Sequence, residues 1–407
     1  MYGPLVIGIV FASTALSVGA SQYAFGLFIE PLEQQFGWTR TEISASLSFA
    51  AMSGLASPLI GRAMDRYGAR PILVASLLVG GTSFVLRPAM TELWHWYALS
   101  FLQFVAFSGA TSLPMGKLVA NWYPHARGRV MAIAVTGNNI GGLLIPATIL
   151  TTLTVATWRE GYLSLAVMSF ALAAIAYFFV HEQPPDNAAQ SRPSHRHRSS
   201  STTATVQHVT LKEAVRSRAF YSVLIVIITG SFTYSIILPH VLAHLMTYGM
   251  NRESASFTLG TLAMSGIAGK LIFGLLCERV GARRATITNL FGQATFAALL
   301  ATATSTQALV WLTPIFGIFM GGLGALMVIL VQDTFGLKHF GSIMGLTNMG
   351  MVLSFGLGPL FAGASYDLTG SYGAAFLLAA ALFTLGAIVL LLSRLPNRMN
   401  PQHSAVD

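Results

Sequence analysis

Few residues of this 407-residue chain are equipped for chemistry inside an apolar setting, and Lys270 stands out among them. It lies in Ser265-Gly266-Ile267-Ala268-Gly269-Lys270-Leu271-Ile272-Phe273-Gly274, an apolar run with no carboxylate at similar depth. A charge within a membrane span costs ~2.5–3.5 kcal/mol on insertion scales and faces a cavity or a partner by default. The counter-ion that suits Lys270 is therefore one that arrives, an anionic substrate. The competing reading is snorkelling. A basic turn begins at Gly274, ~6 Å further along a helix, so the long side chain can reach toward water. His240 and His244 share one helix face at i, i+4 spacing. A metal would need a third ligand, none is evident nearby, and no metal or cofactor is expected. His240 is retained for proton or substrate handling. Asn138 and Asn139 either bond between helices or line a cavity. Tyr23, Gln103, Tyr234, Gln293 and Asn348 are further polar or aromatic residues at apparent membrane depth and complete the candidate substrate site. No span pairs a Ser nucleophile with a base or holds a His/Asp cluster, so an enzyme is not expected. No Gly-rich phosphate loop runs into Lys-Ser/Thr, so nothing points to ATP as the driver.

The elements that must position these groups follow from composition. The chain is 54% hydrophobic and 9% charged, against roughly 25% charged in soluble domains. It reads as a polytopic membrane protein whose main partner is the lipid bilayer. Spans of ~20 apolar residues fall at roughly 5–28, 43–62, 71–90, 94–118, 129–152, 160–180, 219–243, 255–276, 285–303, 309–332, 341–364 and 373–394. The first of them is read as a span and not a removed signal peptide. With these spans, eighteen Lys and Arg fall on one face and four (Arg40, Arg87, Arg159, Arg252) on the other, with Lys270 between, which accounts for all 23. That asymmetry places both termini in the cytoplasm. It also explains the net charge of +9 without a nucleic-acid partner. Residues 181–218 break the apolar pattern with Pro, Ser, His and Arg and read as a cytoplasmic linker. His195 and His197 within it alternate with arginines and read as part of a basic loop near anionic lipid. Residues 210–217 are expected to form a short interfacial helix. The linker divides the chain into halves at 1–180 and 219–395, with a tail at 396–407. The single cysteine, Cys277, rules out a disulfide framework.

One stretch occurs twice. Gly61-Arg62-Ala63-Met64-Asp65-Arg66-Tyr67-Gly68-Ala69-Arg70 returns 213 residues later as Gly274-Leu275-Leu276-Cys277-Glu278-Arg279-Val280-Gly281-Ala282-Arg283. Each copy separates two apolar runs, so the halves are related repeats. Gly61 and Gly274 are expected to let helices approach closely, Gly68 and Gly281 to turn the chain through positive φ. The acid in each basic turn needs an Arg or a helix N-terminus as partner. Elsewhere, Gly137 and Gly141 are spaced for close helix packing, and Asp367 is expected to cap or turn its own loop.

The repeated turn resembles the major facilitator superfamily of transporters. Two further strings narrow the resemblance to its monocarboxylate-porter and oxalate/formate-exchanger branch. One runs from Tyr23 and Phe25-Gly26 through Pro31-Leu32 to Phe36-Gly37-Trp38-Thr39-Arg40; the other is Asp367-Leu368-Thr369-Gly370-Ser371-Tyr372. The resemblance implies an all-α fold of twelve transmembrane helices in two six-helix, pseudo-symmetric halves that rock about a midplane site. It also implies a cytoplasmic latch formed by the turn residues Gly61, Asp65, Arg66, Gly68, Arg70, Gly274, Glu278, Arg279 and Gly281. By analogy, Asp65 meets the cytoplasmic start of span 11 and Glu278 that of span 5. In monocarboxylate porters a cation sits where Lys270 does, with Asp or another polar residue four positions earlier; here that position is Gly266. The exchangers add a cation in span 11, and eukaryotic monocarboxylate porters a Lys in span 1; this chain has neither.

The resulting expectation is secondary transport of a small monocarboxylate, with a proton, across a bacterial inner membrane, with Lys270 binding the carboxylate. Organic-anion exchange of the oxalate/formate type, export of another small molecule, and a non-transporting receptor on the same fold are the alternatives.

Overall fold

In hydrocarbon a backbone can satisfy its own polar groups within a helix or a closed barrel, and the long apolar runs of this chain take the first route. The computed structural model describes residues 2–123, 127–182, 210–336, 340–393 and 395. The linker residues 183–209 with His195 and His197, the loops 124–126 and 337–339, and the tail 396–407 lie outside them. So do the side chains of 65, 120, 127–129, 132 and 340–342.

The spans of the first half are α1 (Tyr2–Tyr23), α2 (Arg40–Met64), α3 (Ala69–Ala89), α4 (Leu93–Val119), α5 (Ile133–Val155) and α6 (Trp158–Phe179). The second half holds α7 (Arg218–Thr247), α8 (Arg252–Val280), α9 (Ala282–Thr302), α10 (Thr306–Phe335), α11 (Ile343–Thr369) and α12 (Gly373–Leu392). Eleven of them are long and apolar enough to cross a membrane by length and composition; α9 is the exception. It carries Arg283 and Arg284 in its first turn and Asn289 and Gln293 further along. The two amides are fully buried in the bundle and not presented to lipid, whereas Arg284 is exposed at the helix start. Between the halves the short helix Leu211–Arg216 is capped by Thr210, which exchanges bonds with Glu213 in a capping box.

Two departures from the sequence reading concern helix geometry. The first apolar run does not stop near residue 28. After a π-turn at Gly19–Tyr23, helix Phe25–Phe36 continues it to Phe36. Gly61 and Gly274 are not sites of close approach: a Cβ at either would meet nothing within 4 Å. In this conformation both face open space. Close packing occurs instead between α1 and α5, where a Cβ on Gly137 would lie 2.7 Å from the Phe11 carbonyl and one on Gly141 would collide with the Ala15 carbonyl.

The face bearing the two repeated turns is here called the basic face. The core is asymmetric between the two faces. Toward the opposite face one buried cluster joins the halves, through Phe28, Trp96, Leu238 and Tyr372 among others. Toward the basic face it divides. One cluster, with Val10, Leu73 and Leu118, comes wholly from the first half. The other, with Phe220, Phe335 and Ile343, comes wholly from the second. The halves are thus packed together on the opposite face and separately cored on the basic face.

Candidate functional site

Lys270 sits in α8 ten residues before the helix ends at Val280, ~15 Å along the axis. Its side chain crosses to the other half. The ammonium donates to Asn139 Oδ1 at 2.6 Å and to the Val135 carbonyl at 3.3 Å. Asn139 is 3% exposed, and its Nδ2 donates back to the Ala263 carbonyl of α8 at 2.7 Å. One amide therefore serves both directions of an α5–α8 contact, which an Asn can do because it carries a donor and an acceptor. The contact needs Gly266: a Cβ there would come within 2.5 Å of Asn139 Nδ2. The polar side chain expected at position 266 from the family pattern would collide with this amide. Among the described residues, Lys270 has neutral partners only.

The other candidates are dispersed. Asn138 adjoins this contact in sequence, with its Oδ1 buried and unpartnered. Tyr23 and Tyr234 both fall in π-turns, Gly19–Tyr23 in α1 and Thr233–Ile237 in α7. π-turns often mark functional positions, and these occupy corresponding places in the two halves. Tyr23 packs on Gly142; Tyr234 Oη lies 3.4 Å from the Met320 carbonyl. Gln293 is committed inside the second half, accepting from Thr233 Oγ1 and donating to Asn289 Oδ1 at 2.7 Å. Asn348 is exposed in α11. His240 and His244 diverge. His240 Nε2 lies 3.0 Å from Ser44 Oγ on α2, and His244 Nε2 lies 2.9 Å from the Leu300 carbonyl on α9. Gln103 accepts a bond from Arg87 at 2.7 Å.

Arg87, expected at a loop or span end on the face opposite the repeated turns, is 3% exposed, with its guanidinium turned back into the first half. The apolar setting of Lys270 made it legible in the sequence. A cation at a span end carries no such mark.

The opposite face is closed by contacts that the sequence did not pair. Asp367, at the end of α11, does not cap its own loop. Its carboxylate accepts from the backbone N–H groups of Arg40 and Thr41 at 3.0 and 2.8 Å, capping the start of α2 in the other half. A carboxylate at a helix N-terminus is favoured by both hydrogen bonding and the helix dipole. Arg40 lies over the Tyr366 ring at 3.5 Å, donates to Tyr372 Oη at 3.2 Å and pairs with Glu33 at 3.1 Å. Arg252 pairs with Glu30 at 2.8 Å. A cavity of about 160 Å³ lies behind these pairs, bounded by Gly26, Glu30, Arg40, Met246 and Tyr366. Ser48 donates to the Gly356 carbonyl at 2.7 Å one turn deeper. Every hydrogen bond described between the halves lies between this face and Lys270. The signal in the sequence was the presence of both strings, Phe36 to Arg40 and Asp367 to Tyr372, which the structure brings face to face.

At the basic face the two turn glycines share one geometry, Gly68 at φ 97, ψ 168 and Gly281 at φ 83, ψ 159. Arg66 lies over the Tyr67 ring at 5.2 Å, and the Arg70 backbone N–H donates to Glu182 at 2.7 Å. Glu278 and Arg279 are exposed, and no contact is described for Glu278. The side chains of Asp65 and of residues 127–129, 132 and 340–342, which lead into α5 and α11, lie outside the described residues.

The model of the Major Facilitator Superfamily matches residues 10–316 and 247–406. The probable sulfoacetate transporter SauU of Cupriavidus necator is 24% identical over 384 residues, 88% of this chain and 86% of that protein. Monocarboxylate transporter 13 of Rattus norvegicus is 24% identical over 397 residues, 96% of this chain and 88% of that protein. Among solved structures, a variant of the nucleoside transporter NupG superposes with a TM-score of 0.73 at 12% identity, covering 94% of this chain and 98% of that one. A bacterial homologue of the lysosomal transporter Spinster, solved inward-facing and unoccupied, gives 0.69 at 14% identity, covering 96% of this chain and 95% of that one. The last two speak for the fold alone. The repeated turns, the twelve helices in two halves and the match along nearly the whole chain agree, and the protein belongs to the Major Facilitator Superfamily of membrane transporters.

Proposed function

We propose that the protein moves a small monocarboxylate across a bacterial inner membrane by alternating access, together with a proton. One observation carries the substrate class: Lys270, deep in α8 at the junction of the halves, holds its ammonium on an amide oxygen and a backbone carbonyl. A carboxylate is a stronger partner for an ammonium than either. One cation at the junction suits one carboxylate. Relatives named as monocarboxylate, sulfoacetate and hexuronate transporters support an organic anion. With the basic face in the cytoplasm, both termini are cytoplasmic, and the contacts of Asp367, Arg40 and Arg252 form the outer gate. The described conformation is then closed to the outside. Opening outward breaks those contacts and lets the turns with Asp65 and Glu278 close the cytoplasmic side. His240, in the gate against Ser44, is the proposed proton-responsive group.

The test is uptake of labelled lactate, pyruvate, acetate, formate and oxalate into proteoliposomes with an imposed pH gradient. A monocarboxylate is expected to accumulate, and collapsing the gradient should return uptake to that of empty liposomes. Preference for oxalate, or gradient-independent uptake that requires substrate on the far side, would replace this reading with organic-anion exchange.

A further inference from the structure

Arg87 stands in a single 3₁₀ turn, Arg87–Ala89, at the opposite-face end of α3. A guanidinium there can reach water, yet this one is 3% exposed. It donates through Nη1 to Tyr162 Oη at 3.1 Å, and through Nη2 to Ser100 Oγ at 3.2 Å and Gln103 Oε1 at 2.7 Å. Trp96 and Tyr162 offer their ring faces at 4.2 and 4.7 Å. None of these groups is an acid. The ion pairs described in the molecule, Arg40 with Glu33 and Arg252 with Glu30, belong to the gate.

The donors around Arg87 outnumber the acceptors. Arg87 Nε is buried without a partner. Tyr162 Oη and Ser100 Oγ each accept from Arg87 and each retain an O–H for which no acceptor is described. A full positive charge thus converges with three donors for which no acceptor is described: Arg87 Nε and the hydroxyls of Tyr162 and Ser100. Burial of a charge is tolerated when a counter-charge or further hydrogen bonds complete it, and ring faces supply only part of that. The adjoining cavity is bounded by Ala20, Ser21, Phe25, Ser46, Leu47 and Phe84 and holds about 10 Å³, room for roughly one water-sized occupant.

We propose that the Arg87 chamber is an anion-binding site separate from Lys270, taking one compact monovalent anion on the guanidinium Nε and the hydroxyls of Tyr162 and Ser100. The cavity as it stands is sized for a water, and a halide enters with a small outward shift of its walls. The carboxylate of a transported substrate presents the same charge and enters when the cavity widens. Two walls, the π-turn of α1 and the 3₁₀ turn Ser46–Phe49 of α2, adjoin residues that touch the other half: Gly26 packs on Leu242, and Ser44 bonds to His240. An anion in the chamber therefore sits behind the gate.

The test uses the full-length protein in detergent, with sulfate as the only other anion. Chloride, bromide and acetate are titrated while thermal unfolding and tryptophan fluorescence are followed, since Trp96 lies on the guanidinium. The wild type is expected to respond saturably to at least one of them. Arg87→Gln and Tyr162→Phe should each weaken the apparent affinity about tenfold or more, the usual loss when a hydrogen bond to a charged group is removed. Lys270→Ala should leave the halide response unchanged. A response to halide but not acetate assigns the site to a free ion; an acetate response that persists in Lys270→Ala and is weakened by Tyr162→Phe assigns it to a carboxylate. Tyr162→Phe keeps the ring stacked on Phe28 at 4.1 Å, so it reports even where Arg87→Gln fails to fold. No saturable response in the wild type, an unchanged titration in Tyr162→Phe, or loss of the response in Lys270→Ala alone would each overturn the proposal and leave Arg87 a structural cation.

Discussion

Asn139 matters for what it withholds. As an amide it orients the Lys270 ammonium at 2.6 Å without neutralising it, so the charge stays available to a ligand. An aspartate there would supply an internal counter-ion of nearly the same shape and also lose the donor that reaches Ala263. The prediction for Asn139→Asp is a protein that inserts and folds, with the substrate KM raised about tenfold or more, because the new carboxylate competes for the ammonium through a charge-assisted bond of about 1.5–3 kcal/mol. Uptake kinetics in proteoliposomes decide it; an unchanged KM would mean that Lys270 does not meet the substrate. Glycine substitutions separate packing from mechanism at the same scale. Gly141→Ala drives a methyl into the Ala15 carbonyl and should destabilise by about 1–3 kcal/mol, the usual cost of overpacking. Gly61→Ala meets open space and should leave thermal stability unchanged. Equal losses in the two variants would contradict the α1–α5 packing.

The closed contact on the face opposite the repeated turns is a helix-to-helix device: the end of α11 caps the start of α2 through Asp367. Asp367→Asn keeps size and weakens both bonds. Charge-assisted hydrogen bonds contribute about 1.5–3 kcal/mol, so the population open on the Asp367 side should rise about tenfold or more. In a Cys277→Ser background, Met246→Cys places a thiol in the cavity behind the gate. Its labelling by a membrane-impermeant maleimide should accelerate in Asp367→Asn; an equal rate would show that the gate rests on other contacts. The helices themselves were readable because apolar length is written locally. Their boundaries fall within a few residues of the expected spans except at α1, where helix Phe25–Phe36 continues the run eight residues past its expected end. The π-turns at Gly19–Tyr23 and Thr233–Ile237 were not readable, because no residue pattern marks a change of one in the hydrogen-bonding step.

Across the whole molecule, the repeat of Gly68 and Gly281 with matching torsions shows in three dimensions what the 213-residue spacing states in one. Which residues meet across the halves is a different kind of information. Lys270 was recognisable because a charge in an apolar run needs a reason, but its partner Asn139 was one of several polar residues of equal standing. Arg87 and Asp367 were misplaced because their roles depend on helices distant in sequence. Gln293 looked like cavity polarity and is instead spent on Thr233 and Asn289 inside one half. The core, joined toward one face and divided toward the other, is the form expected of two bodies that rock about a site between them, and Lys270 is at that junction. The most direct measurement is therefore uptake of the transported monocarboxylate by wild type, Lys270→Ala and Lys270→Arg, reconstituted at equal density. The account predicts that Lys270→Ala abolishes uptake while the protein stays folded, and that Lys270→Arg keeps part of it because the charge remains. Uptake by Lys270→Ala at the wild-type rate would contradict it and remove Lys270 from the substrate pathway.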